Sequence, residues 1–87
     1  MNLTKKVLLD VEQERINQVI KFGKQEHSLH KWLTILIEEV GEVAQAIQKD
    51  EDWSKKGDKS NIYEELIQVA AVSVQIAESI GKREVKL

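Results

Sequence analysis

From Trp32 to Gln48 the apolar positions return every three or four residues. Trp32, Leu33, Leu36, Ile37, Val40, Val43, Ala44 and Ile47 fall on one continuous arc at 100° per residue. This spacing predicts a helix over 29–49, with Ser28 as a candidate N-cap. Upstream, a second helix is expected over 4–22, opened by Thr4 and closed by Gly23, which readily takes the positive φ that ends helices. Its apolar residues make two stripes, Val7, Val11 and Phe22 on one and Leu9, Ile16 and Ile20 on the other, with Leu8 and Val19 between them. So wide a face predicts contacts with more than one neighbour. Downstream, a third helix is expected over 61–80, capped by Asn61 with Glu64 three residues on and stopped by Gly81. From Ile62 to Ile80 its apolar residues cover most of the circumference, the mark of a buried helix.

Three helices of one short chain cannot enclose the third on every side. The expected fold is therefore all-α, one domain over 1–87, an antiparallel helical bundle completed by homo-oligomerisation. The polar stretch 50–60, with one glycine, reads as a loop, and the charged tail 81–87 is expected to fray.

Some acids do not fall where solvated acids should. Glu39 projects between Trp32 and Val43 on one side and Ile35 and Ala46 on the other, with Glu42 one step further round and Glu38 beyond it. Glu65 lies inside the arc of the third helix, flanked by Val72 and Ile76, with Gln68 one turn on. An ionised carboxylate turned into a core edge needs a positive partner or a raised pKa.

Composition narrows what that partner can be. With 13 basic and 15 acidic residues the chain lacks the cationic excess that polymeric nucleic acid demands. There is no cysteine, so no disulfide or thiolate site, and no apolar run long enough for a membrane or a signal segment. A cytoplasmic protein is expected. His27 and His30 are three apart, but without further nitrogen or sulfur ligands they are a weak signal for a soft metal; loop histidines that are solvated or hydrogen-bond a ligand are the expectation. Glu39 with Glu42, and Glu65 with Gln68, are each i, i+3 pairs on one helix face. If the two helices pack side by side, three carboxylates and an amide oxygen converge, a hard oxygen set suited to Mg²⁺ or Mn²⁺ with a polyphosphate. Glu38, one residue before the first pair, is the candidate base toward water, or else a partner to the ligands themselves. Glu-Glu-x-x-Glu also occurs as ordinary solvated charge. The placement of acids inside apolar arcs on two separate helices is what sets these apart.

The wording LIEEVGEVAQAI, a polar loop, then EELIQVAAV resembles the MazG-like all-α nucleotide pyrophosphohydrolases, whose motif is Glu-Glu-x-x-Glu followed after a spacer by Glu-x-x-Asp. The lead-in ERINQVIKFGKQEHSLHKWLTIL is similar to that of short, stand-alone, phage-related members. The resemblance implies that Glu39, Glu42 and Glu65 are metal ligands, with Glu38 beside them. It further implies Mg²⁺-dependent cleavage of nucleoside triphosphates between the α and β phosphates, often to remove unwanted nucleotides, in dimers or tetramers around a four-helix core. One position departs: Gln68 stands where the family usually carries aspartate, lowering the ligand charge by one.

On this reading the phosphates lie at the acids, and the base is expected near Gln18, Phe22, His27, Trp32 or Trp53. Gln18 could equally be a satisfied structural amide, and Trp53 could simply fold over the bundle. Lys55 and Lys56 could meet the polyphosphate, although such runs are usually solvated charge. The competing expectation is a non-catalytic helical oligomer that binds nucleotide or metal as a regulator or scaffold, with Gln68 in its favour.

Overall fold

The computed structural model describes residues 2–51 and 59–84. These form three helices, α1 (Leu3–Phe22), α2 (Leu29–Glu51) and α3 (Lys59–Glu84), with no strand among the described residues. α3 is the middle element. Both α1 and α2 pack against it, and they do not pack on each other.

The starts of α1 and α2 have a visible cause, and those of α1 and α3 differ from expectation. α1 is capped by Asn2, whose side-chain oxygen accepts from the Lys5 N–H at 2.7 Å, so Thr4 lies inside the first turn. Asparagine is the stronger cap, and it stands two residues earlier. At the other end Gly23 takes φ 70°, and its N–H reaches Val19 O at 2.8 Å. Ser28 opens α2 as expected, its hydroxyl accepting from Lys31 N–H at 3.2 Å. α2 runs on to Glu51, so the predicted loop 50–60 is shorter at this end. α3 begins at Lys59, before Asn61, and passes through Gly81 into Lys82, Arg83 and Glu84. A glycine inside a helix costs only about 1 kcal/mol, and three good helix formers follow it. Gly81 therefore does not stop the helix. The remainder of the loop and the end of the tail lie outside the described residues.

The apolar arc of α2 is split in two by the fold. Trp32, Ile35, Leu36, Val43 and Ala46 are turned inward with Glu39 among them, whereas Leu33, Ile37, Val40, Ala44 and Ile47 are exposed. Trp32 is the largest enclosed side chain at 1% exposure, with the His27 ring set edge-on to it at 4.8 Å. On the opposite side of α3, Ile67 and Ala71 meet Val11, with Val7 and Ala70 against them. Small residues at 70 and 71 let α1 approach closely. Tyr63 adds a polar tie by donating to Asp10, which also pairs with Lys6 at 2.6 Å. That pair is exposed and contributes little stability.

The helix expected to be buried all round is covered on two sides only. Leu66, Val74 and Ile80 of α3 remain exposed. The radius of gyration, 14.9 Å, exceeds the roughly 12 Å of a compact domain of this length. A single chain leaves this bundle open.

Truncation of the core contact, Ile67→Ala, is expected to destabilise the fold by about 2–4 kcal/mol, through lost burial and a residual cavity. Leu3→Ala, at a 77% exposed position, should change stability by no more than about 0.5 kcal/mol. Urea unfolding followed by circular dichroism compares the two, and equal losses would refute this placement of the core.

Candidate metal centre

The inward stripe of α2 has a carboxylate at its middle. With Trp32, Ile35 and Leu36 before it and Val43 and Ala46 after it, Glu39 must face α3 whenever those apolar residues do. Glu42 follows on the same side but nearer the rim, and is exposed. From α3, Glu65 is brought in by the register that also buries Val72. One oxygen from each of Glu39, Glu42 and Glu65 lies within 4.8 Å of the other two.

Three like charges so close are unfavourable unless something neutralises them. Glu39 and Glu65 are half-buried as whole residues, but one oxygen of each, Oε2, is fully enclosed and has no hydrogen-bond partner among the described residues. Burial, first of all, pushes the Glu39 carboxyl above its ordinary value of 4.5, and the charges of Glu42, Glu65 and Glu14 push it further. Burial also raises Glu65, followed by its hydrogen bond to Glu42 and the charges of Glu42 and Glu64. Such a cluster either retains a proton or holds a cation. Orphaned buried oxygens in an all-carboxylate set fit a hard divalent ion, with Glu42 at the solvent side for access.

Beside the cluster opens a 370 Å³ cavity walled by Glu39 of α2, Gln68 of α3 and a polar stripe of α1. The stripe comprises Glu14, Asn17, Gln18 and Lys21, spaced i, i+3, i+4 and i+7, and so on one helix face. Phe22, 58% exposed, lines the same cavity, and the Lys21 ammonium sits over its ring at 5.1 Å. Gln68 thus stands on the cavity wall beside Glu39. Glu38 is exposed, next to the three converging acids but not among them.

The other expected residues are distributed unevenly. Gln18 and Phe22 come together at this cavity. His27 and Trp32 instead pack against each other, and the Trp32 indole N–H is buried without a hydrogen-bond partner among the described residues. Trp53, Lys55 and Lys56 lie outside the described residues. Glu14, Asn17 and Lys21 are cavity residues that the sequence pattern had not singled out. Their signal is the polar i, i+3, i+4, i+7 stripe on α1, which the broad apolar stripes on either side of it obscure.

A raised carboxyl pKa in the folded state means that the native protein holds more protons than the unfolded chain. Its contribution is favourable below the unfolded pKa and is lost as pH rises through the folded pKa. For the metal-free protein, the melting temperature should therefore fall as pH is raised from 4.5, and Glu39→Gln should flatten that slope. Asp10, whose carboxyl is lowered by its hydrogen bonds from Lys6 and Tyr63, acts with opposite sign but below 3.8. Melting curves in a chelator between pH 4.5 and 8 provide the check. A slope unchanged by the substitution would contradict the role assigned to burial and repulsion at Glu39.

A family model for the MazG nucleotide pyrophosphohydrolase domain matches residues 26–86, which span α2, the connection and α3, and leaves α1 outside the match. No curated protein and no solved structure matches the chain. No helix among the described residues is long and apolar enough to cross a membrane. With more than half of its length matched, and its converging acids on the two matched helices, the chain belongs to the MazG nucleotide pyrophosphohydrolase family.

Proposed function

We propose that this protein is a Mg²⁺-dependent nucleoside triphosphate pyrophosphohydrolase that converts (d)NTP to (d)NMP and pyrophosphate and serves to clear unwanted nucleotides. The observation that carries the reading is the convergence of Glu39, Glu42 and Glu65 with two enclosed, unpartnered oxygens. When bound there, Mg²⁺ or Mn²⁺ would supply the positive charge that a triphosphate needs before water can approach phosphorus. Glu39, Glu42 and Glu65 are the residues to hold the ion, with the Gln68 amide oxygen available from the cavity wall. Lys21 offers a cation to the phosphate tail. The water oxygen bonds to phosphorus as the bridging P–O bond breaks, and pyrophosphate departs. Glu38, exposed on α2 beside Glu39, is assigned the water's proton. Gln18 and Phe22 are assigned to the nucleoside end.

A second reading, nucleotide binding without turnover, is favoured by Gln68, because a neutral amide leaves the ion less charge-compensated than aspartate would. A panel of ordinary and modified dNTPs with Mg²⁺, scored for pyrophosphate release, decides between them. Release is expected, with Glu39→Gln lowering turnover by at least about 100-fold. Mg²⁺ or Mn²⁺ should also raise the melting temperature, a shift that Glu65→Ala abolishes. No release from any substrate, with nucleotide binding intact, would leave the binding reading.

The oligomer is part of the same proposal. Leu33, Ile37, Val40, Ala44 and Ile47, all exposed, recur at intervals of four and three residues, the spacing of a helix seam that meets another helix. Together with exposed Leu66, Val74 and Ile80 on α3, this seam is assigned to a second copy of the chain, in a dimer or tetramer. Light scattering at micromolar concentration should give a multiple of the 10.0 kDa chain mass. A monomeric mass would rule this assembly out.

A further inference from the structure

Outside the carboxylates, one group in the cavity has its polarity fixed by its neighbours. The Gln18 side-chain oxygen accepts from Arg15 Nη1 at 3.1 Å. Arginine has only donors, so the end of the amide that meets it must be the oxygen. The orientation of Gln18 therefore follows from the chemistry of its partner. Arg15 is itself held, since its Nε donates to Glu78 Oε1 of α3 at 3.1 Å, and its side chain is only 15% exposed. The pair sits behind Gln18, on the wall of a separate 540 Å³ cavity between α1 and the C-terminal part of α3. By contrast, the Gln13–Asn17 contact at 3.0 Å joins two amides, either of which can donate, and fixes no direction.

With its oxygen engaged by Arg15, Gln18 has its NH₂ group left to donate, and the residue lines the cavity beside Glu39. The cavity also presents the exposed Phe22 ring. An amide donor beside an aromatic face suits the edge and plane of a heterocycle, whereas Lys21 and the carboxylate cluster suit the phosphate end. We infer that the Glu78–Arg15 pair is a positioning device that locks Gln18 as a hydrogen-bond donor, making the cavity selective for nucleotides whose base presents an oxo group over those presenting an amino group at the same place. Arg15 and Gln18 precede the stretch matched by the family model. The inference rests on the nucleotide reading above and adds the class of base to it.

The physical basis of the discrimination is an unpaired or opposed donor. Placing a base amino group against the Gln18 NH₂ leaves two donors facing each other in a partly desolvated site, and hydrogen-bonding sites reject such mismatches strongly. Replacement of Arg15 by a residue without donors lets the amide turn over and offer its oxygen instead, so the preference should fade. Lysine at this position still only donates and should preserve it.

The test is calorimetric binding of α,β-imido dUTP and α,β-imido dCTP with Mg²⁺, which requires no turnover. The wild-type chain should bind the oxo analogue about tenfold or more tightly than the amino one, a ratio set by a single mismatched contact. Arg15→Met should bring the two affinities to within about threefold, Arg15→Lys and Glu78→Gln, whose amide oxygen still accepts from Arg15, should retain the preference, and Gln18→Glu, which only accepts, should reverse it. Helical content by circular dichroism confirms that each variant is folded, and the wild-type and Gln18→Glu pair decides the matter if Arg15→Met does not fold. Equal wild-type affinities, as expected if the chain grips only the phosphates, would overturn this inference alone. Failure of both analogues to bind would overturn it together with the nucleotide reading.

Discussion

Mutual repulsion among three carboxylates is the constraint around which this small bundle is arranged. Apolar packing of α2 on α3 forces Glu39 and Glu65 inward, because each stands in the middle of a stripe whose other members must be buried. The energy that closes the helix pair is thus also the energy that crowds the acids. A cluster assembled in this way cannot relax by turning its side chains outward without giving up part of the core. It is built short of positive charge, and that shortage is what the proposed cation would meet.

The division of labour among the helices follows. α3 is the spine and supplies Glu65 and Gln68; α2 supplies the acidic pair and the buried Trp32; α1 supplies no acid to the cluster itself but closes one side of the neighbouring cavity with a polar stripe. Only α2 and α3 fall wholly or largely within the family match. The acids proposed to hold an ion are therefore carried by the shared part of the fold, and the groups facing the rest of the cavity come from a helix outside it.

The three helices were legible because each carries a strong 3.6-residue rhythm and a recognisable start or stop. Gly23 and Ser28 are local signals, and they act locally. Asn61 and Gly81 have the same chemistry, but the helix formers around each carry the helix through both. Glu39 and Glu65 were legible as misplaced polar residues, since misplacement is defined relative to a stripe on their own helix. The splitting of the α2 arc was not, because a stripe shows which residues are apolar but not how much of it one partner helix can cover. Nor was the Arg15–Glu78 contact, which joins positions far apart in sequence and leaves no periodic trace.

Ala46 occupies the inner stripe of α2 one turn beyond Glu42 and is almost fully enclosed, at 5% exposure. Its single methyl group sets how near the two backbones lie at that level, and hence the gap across which the acidic side chains face each other. A bulkier aliphatic there would act as a wedge, prising the helices apart and widening the space between the three acids without altering any of them. For the ion proposed here, preference would therefore drift by exchanges at hydrophobic positions, from tight octahedral ions toward larger, more loosely held ones.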